Sequence, residues 1–373
     1  MSHQGLNANP AKDSSTKLSL KDQTVARKAW KYDFLVFIGR FQPFHNGHLA
    51  VVERALALSQ RLIICVGSSD AARSSRNPFT AEERIASIRD SLGAAERERV
   101  VFIQIQDHTY NDTAWIEQIQ SSVASVVCDY GFGDSRVGLI GYSKDESSYY
   151  LNLFPQWASE NVRQDVIYNS TDIRRDYFRS NPIISDHVMP EAVVDFLKDF
   201  LRDESYRALV AESEFIRKFR KQFEQLPYPP TFNTVDAVVI QSGHILMVRR
   251  GAMPGKGLWA LPGGYLNVDE TLIESMLREL REETRLKVPA PVLKGNIQAV
   301  QTFDDPHRSA RGRILTQAYL IKLPDGPLPK VKGGDDAAHA AWLPLGSLKP
   351  REIFEDHYHI IQVMKSRLKE DRI

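Results

Sequence analysis

The chain has 373 residues, room for two or three domains of roughly 100–200 residues each, and its 42% hydrophobic and 25% charged residues are ordinary for a soluble globular protein. A formal net charge of +1, from 48 basic and 47 acidic residues, excludes a global field for nucleic acid or membrane, and residues 231–373 alone, with 20 basic and 17 acidic, do not change that. Cys65 and Cys128 make neither a disulfide framework nor a zinc site by themselves, and no apolar run approaches the ~18 residues that span a bilayer, so a cytoplasmic location is expected.

Residues 1–30 are polar, with scattered lysines and no hydrophobic signal core, and read as a disordered arm or tail. From there to residue 205, short apolar runs alternate with helical patterns. Strands are expected at 34–39, 61–67, 99–105, 136–141 and 165–169. Helices are expected in the stretches between, including "ESSYYLNLFPQW" (146–157). Cys65 falls inside the second run and reads as buried. Thr80 with Glu83 forms a capping-box pattern that marks a helix start. Unbroken apolar strands alternating with helices predict a parallel sheet covered on both faces, with ligands at the carboxyl ends of its strands. Residues 206–230 form a charged helical stretch ending in Pro227, Pro229 and Pro230, expected to connect two domains. Beyond it, "TVDAVVI" and "HILMVRR" predict a hairpin turning at Gly243. Residues 231–373 read as a second, α+β domain.

Two stretches of the first domain suggest phosphate chemistry. "GRFQPFHNGH" (39–48) sits where the first strand hands over to its helix. A helix N-terminus there offers unpaired N–H groups, and His45 and His48 add donors without a permanent charge. A packed corner is the bland alternative. A metal clip lacks further ligands nearby. "YNSTDIRRDYF" (168–178) offers Ser170 and Thr171 as helix caps, with Arg174 in the first turn, a second cradle for phosphate or an ordinary capped helix.

Together these stretches resemble the nucleotidyltransferase superfamily marked by H-x-G-H and S-T-x-x-R. His45 to His48 match the first motif; Ser170, Thr171 and Arg174 match the second. "VGSSDAARSSRNPFTAEERI" (66–85) and "YNDTAWIEQI" (110–119) are similar to segments of the archaeal-type nicotinamide mononucleotide adenylyltransferases, and "GYSKDESSYYLNLFP" (141–155) resembles a segment of that family expected to contact adenine or ribose. The resemblance implies a Rossmann-like fold and transfer of AMP from ATP, as substrate, to nicotinamide mononucleotide. It implies His45, His48 and Arg174 as catalytic residues. Gly39, Arg40, Phe41, Asn77, Trp115, Ser170 and Thr171 would bind substrate. Trp115 would stack on the pyridine ring, unless it is a core residue of an amphipathic helix.

"LPGGYLNVDETLIESMLRELREETRL" (261–286) resembles the Nudix box, G-x5-E-x7-R-E-U-x-E-E-x-G-U. Gly264, Glu270, Arg278, Glu279, Glu282 and Glu283 fall at its fixed positions. Glu279, Glu282 and Glu283 share one helix face by spacing, where like charges repel and a divalent cation would offset them. The resemblance implies metal ligation by Gly264, Glu279, Glu282 and Glu283, with Glu279 and Glu283 catalytic. Mg²⁺ is the expected ion, and Mn²⁺ is admitted in its place. The box's last glycine is Arg285 here. "TFDDPHRSARGRILTQAYLI" (302–321) resembles a segment of Nudix proteins acting on ADP-ribose, which implies that Arg308, Arg311 and Arg313 read phosphates or ribose.

The expected molecule is therefore a bifunctional enzyme of NAD metabolism, with a Rossmann-like parallel-sheet domain (31–205), a helical linker (206–230) and an α+β Nudix domain (231–373). Its expected partners are ATP, nicotinamide mononucleotide and ADP-ribose, with no nucleic acid and no membrane. The sequence leaves a homo-oligomer open. Three alternatives stand: another phosphate acceptor in the first domain, another nucleoside diphosphate derivative in the second, or a second domain that senses a ligand. No basic recognition helix supports a DNA-binding regulator.

Overall fold

The computed structural model describes residues 30–131, 134–142, 153–162, 169–335 and 337–368. In chain order these form β1 (Tyr32–Gly39), α1 (Asn46–Leu58), β2 (Ser59–Val66), α2 (Ala81–Asp90), α3 (Ala94–Arg97), β3 (Val100–Gln104), α4 (Asp112–Tyr130), β4 (Val137–Tyr142), β5 (Ala158–Val162), α5 (Ser170–Tyr177), α6 (Glu191–Phe200) and α7 (Glu204–Lys221). The chain continues through β6 (Thr231–Gln241), β7 (His244–Arg250), β8 (Trp259–Ala260), β9 (Gly263–Tyr265), α8 (Leu272–Thr284), α9 (Ala290–Gly295), β10 (Ile297–Phe303), β11 (Arg313–Lys322), β12 (Ala337–Pro344) and α10 (His357–Lys365).

The first five strands make one parallel sheet in the order β3-β2-β1-β4-β5. Successive side chains of a strand face opposite ways. Leu35, Phe37, Leu62 and Ile64 accordingly enter one core, and Phe34, Val36, Ile63 and Cys65 enter another on the reverse face. That double burial explains why these strands read as unbroken apolar runs. The order of connection reverses between β1 and β4, the place where sheets of this kind open a crevice at their carboxyl ends. The "GRFQPFHNGH" stretch begins with the last residue of β1.

The remaining strands make a mixed sheet in the order β10-β11-β6-β7-β12, with β8 paired to β7 and β9 to β6. β11 runs parallel to β6 and the other pairs are antiparallel. It too carries a core on each face, Val235, Ala237 and Val239 on one and Val238, Ile240 and Met247 on the other. The expected hairpin joins β6 to β7 through Ser242 and Gly243, with φ of 46° and 73°. Two successive left-handed residues match the right-handed twist of the flanking strands, and glycine adopts that φ without strain.

One strand departs from expectation. The fifth described strand of the parallel sheet, Ala158–Val162, is one the sequence did not suggest, and the strand expected at 165–169 falls, apart from Asn169, outside the described residues. Its sequence, "ASENV", is largely polar, and among the described residues it is the last strand of the sheet, a position where apolar alternation is not required. Residues 163–168 lie outside the described residues, as do 146–152 of the expected helix; residues 153–157, its remainder, are not helical. Among the described residues, no helix is long and apolar enough to cross a membrane.

Candidate active sites

At the end of β1 the chain turns sharply. Phe41 takes a left-handed φ of 52°, and its ring folds back over Gly39, where an added Cβ would lie 2.7 Å from the ring. Gly39 is thus explained by the close approach of Phe41, which is itself 2% exposed. The turn is locked by Gln42, whose side chain donates to Phe79 O (2.9 Å) and accepts from Phe79 N–H (3.0 Å).

His45 caps α1. Its Nδ1 accepts from the His48 N–H, and His48 Nδ1 accepts from the His45 N–H, each at 3.3 Å. This is a capping box made of two imidazoles, with rings stacked at a centroid distance of 3.6 Å. With Nδ1 accepting, each neutral ring carries its proton on Nε2, the tautomer that can donate to a phosphate oxygen.

Arg174 lies in α5 and is 7% exposed. It donates to Gln42 O (2.6 Å), Ser75 O (3.2 Å) and Thr171 Oγ1 (3.2 Å). The helix is capped by Asn169, whose side chain accepts from Thr171 N–H (2.9 Å), and not by Ser170 or Thr171 as the sequence suggested. Asparagine is as good a cap, and being one residue earlier it leaves both hydroxyls for other partners. Ser170 donates to Pro43 O (3.3 Å).

Burial, then the nearby Arg40 and Arg76, lower Arg174 to about 9. Burial, then Arg76, lower Arg40 to about 10 against the opposing pull of Asp107. Three guanidiniums that repel one another beside a helix N-terminus form a strong anion site. Asn77 reaches this group by accepting from Arg40 Nη1 at 3.5 Å. Trp115, in the first turn of α4, lines the adjoining cavity and also packs against the core. The 143–152 part of the stretch expected near adenine lies outside the described residues.

Sequence reading missed two arginines here. Arg76 completes the guanidinium cluster. Arg84, 2% exposed, donates to the carbonyls of Thr80, Arg40, Gly67 and Ser68 at 2.6–3.1 Å. It pins the loops after β1 and β2, yet an arginine on an amphipathic helix looks solvated in a sequence.

The second site gathers on β9 and α8. α8 opens with a Thr271–Glu274 capping box. Gly263 N–H donates to Glu283 Oε2 at 3.0 Å. A Cβ at Gly264 would lie 2.3 Å from Glu279 Oε1, so only glycine lets that carboxylate rest on the strand. Burial raises Glu279, opposed by Arg278. Burial pushes Glu283 up to about 8, with Gly263 N–H opposing and Glu279 adding to the rise. Arg278 donates to Glu270 (2.6 and 3.0 Å), Glu279 (2.9 Å) and Glu282 (3.1 Å).

Two crowded carboxylates held above their ordinary range, beside a glycine carbonyl strand, are a hard-oxygen donor set that fits Mg²⁺ or Mn²⁺. Among the described residues, however, no three His, Cys, Asp or Glu side chains close around one point. Glu282 is the outlier. It is 44% exposed and turned to Arg278, whose Nη1 lies between it and Glu279.

The three arginines of 302–321 divide. Arg308 was expected to read a substrate. Its side chain is 3% exposed and locked to Asp356 at 2.8 and 3.0 Å, because Asp356 is equally buried and needs a counter-charge. Arg311 donates to Tyr265 Oη (3.2 Å) and pairs with Glu355 (3.5 Å). Arg313 binds Asp304 O.

Two further residues escaped sequence reading. Asp236, buried on β6, accepts from Thr316 Oγ1 (2.6 Å) and acts electrostatically on Glu283. A lone aspartate inside "TVDAVVI" was the available signal, since an unpaired buried charge is costly. His357, 7% exposed, accepts from Leu261 N–H at 2.9 Å and so holds the start of the glycine loop.

A cytidylyltransferase-like family model matches residues 36–129, and a NUDIX domain model matches residues 230–364. The chain is 41% identical over 183 residues to the nicotinamide/nicotinic acid mononucleotide adenylyltransferase of Acinetobacter baylyi, covering 48% of this chain and 93% of that protein. It is 34% identical over 128 residues to the ADP-ribose pyrophosphatase of Methanocaldococcus jannaschii, covering 34% of this chain and 69% of that protein. Two solved structures of one relative span both parts. The bifunctional NMN adenylyltransferase/ADP ribose pyrophosphatase of Francisella tularensis, complexed with AMP and Mn ion, is 35% identical, with a TM-score of 0.85 over 90% of this chain and 99% of that one. The chain belongs to this bifunctional NMN adenylyltransferase/ADP ribose pyrophosphatase family. The cytidylyltransferase-like match precedes the NUDIX match, the order in which the H-x-G-H and Nudix motifs occur here, and the Rossmann-like parallel sheet followed by a mixed α+β sheet is the fold implied by those motifs.

Proposed function

We propose that the chain transfers AMP from ATP to nicotinamide mononucleotide, giving NAD and pyrophosphate, and hydrolyses ADP-ribose to AMP and ribose 5-phosphate. The similarity to a bifunctional enzyme along nearly all of that enzyme's length carries the pairing.

In the first reaction a 5′-phosphate oxygen of the mononucleotide attacks the α-phosphorus of ATP, and the bond to the β-phosphate oxygen breaks. The attacking group is already an anion, so no general base is needed. The residues supply position and charge. His45 and His48, with Nε2 protons, donate to phosphate oxygens in the transition state. Arg40, Arg76 and Arg174 hold the polyphosphate. Trp115 receives the pyridine ring, and Asn77 and Thr171 orient the cluster through their bonds to Arg40 and Arg174.

In the second reaction water attacks a phosphorus of ADP-ribose and the diphosphate bridge breaks. Glu279, Glu283 and the Gly264 carbonyl would hold a divalent cation, Mg²⁺ with Mn²⁺ as a substitute. When bound, that ion supplies Lewis-acid charge for the diphosphate. Glu282 joins them if Arg278 releases it. Arg278 otherwise orients the carboxylates. Arg311, bonded to Tyr265 next to the glycine pair of β9, and Arg313 would take the diphosphate or ribose.

Product analysis tests both halves: ATP with the amide or the acid mononucleotide, and separately ADP-ribose, each with Mg²⁺. NAD or its acid precursor with pyrophosphate is expected from the first, AMP with ribose 5-phosphate from the second. Transfer to some other phosphate acceptor alone, or tight ADP-ribose binding without turnover, would overturn the corresponding half.

A further inference from the structure

The anion site and Trp115 open into a cavity of about 370 Å³ that does not belong to the parallel-sheet unit alone. Arg40, Asn77 and Trp115 line one side; Phe354, Tyr358 and His359 line the other. We propose that the acceptor end of the adenylyl-transfer site is a composite, with the mixed-sheet unit supplying its outer wall and fixing the segment that carries Trp115. This rests on the acceptor proposed above.

The fixing contact is Tyr110, just before α4 begins. Its ring meets Phe303 of β10 edge-on at 4.9 Å, and its hydroxyl donates to Asp356 Oδ2 at 2.5 Å. Asp356 is in turn clamped by both arms of Arg308. A buried, doubly bonded carboxylate has little freedom, so it is a firm anchor for the residue that leads into α4. Asn111 then caps the helix, accepting from Ala114 N–H at 3.1 Å, and Trp115 follows in the first turn. Arg308 and Asp356 thereby gain a task in the first site, as positioning residues.

A second tie holds the opposite rim. Glu212 of α7 accepts from Ser75 N–H with Oε1 and from Gly255 N–H with Oε2, both at 3.0 Å. Beside it Arg76 Nη1 donates to His307 O at 2.7 Å. The turn carrying Arg76 and Asn77 is therefore bonded to the mixed-sheet unit as well. Across the cavity, His359 lies within electrostatic reach of Asp107 and His108, and Tyr358 of Asp70. A flat, cationic ring resting on Trp115 would be enclosed on its far side by α10. The chemistry selected is that of a pyridine ribonucleotide, an aromatic ring with a phosphate at one end.

The test uses the full chain with Tyr358→Ala, His359→Ala and Tyr110→Phe, with Tyr358→Phe as the conservative control. The KM for the mononucleotide should rise about fivefold or more in the first three. The KM for ATP and the rate of ADP-ribose hydrolysis should stay within about twofold of the parent, and Tyr358→Phe should behave as the parent does. An unchanged mononucleotide KM in all three variants overturns the composite site. So does a uniform loss of kcat in both reactions with a lowered Tm, because that marks general loosening. If the parent chain forms no dinucleotide at all, the proposed function itself fails and this inference falls with it.

Discussion

The two imidazoles of the capping box carry a specific expectation. Each holds the other through Nδ1, and each presents Nε2 as donor. If that donor serves the transition state more than bound ATP, His48→Ala should lower kcat by about 10²–10³ while the KM for ATP stays within a few fold. A raised KM with kcat intact would reject the role. Glu283 sets the second expectation. Its carboxylate is held by Gly263 N–H in a buried setting. Glu283→Gln keeps the shape and removes the charge, so ADP-ribose hydrolysis should be lost while NAD synthesis continues. Parallel loss of both activities would mean that the two centres are not separable.

At the scale of elements, the strand–helix alternation, the Thr80–Glu83 capping box and the Ser242–Gly243 hairpin were legible because local propensity and tertiary structure agree there. β5 was not, since the last described strand of its sheet stands where apolar alternation is not required. Of the site residues, those in fixed-spacing motifs could be read. Arg84, Arg308 and Asp356 could not, because their roles depend on partners 16 to 48 residues away in the chain. The helix α8 shows a third case. It ends at Arg285, with φ 52° and ψ 25°, in the left-handed region where the box normally has glycine. The arginine bears a backbone strain of about 1 kcal/mol there. Arg285→Gly should therefore raise stability by about 0.5–1 kcal/mol, read from the denaturant midpoint, without changing hydrolysis. A fall in the midpoint would show that the arginine side chain, which lies against Gly334, holds more than the strain costs.

For the molecule as a whole, His357 links pH to stability. Burial pushes it down to about 3, against the counter-pull of Asp356. Between its ordinary value of about 6.5 and that value, the unfolded chain binds more protons than the folded one. The stability is therefore full above pH 6.5 and declines as the pH falls towards 3, by up to about 1.4 kcal/mol per pH unit from this residue. Urea midpoints between pH 7 and 5 should fall in the parent chain and flatten in His357→Gln, whose amide oxygen can still accept from Leu261 N–H. Equal slopes would place the acid sensitivity elsewhere. The ties across the cavity have a different consequence at this scale. Residues 222–230 carry the exposed Leu226 and Tyr228, an inviting place for a protease. Yet Tyr110, Arg76, Glu212 and Arg220 all bond to the part of the chain beyond that stretch. A cut there would divide the polypeptide and not the particle, and two fragments would migrate together until denatured.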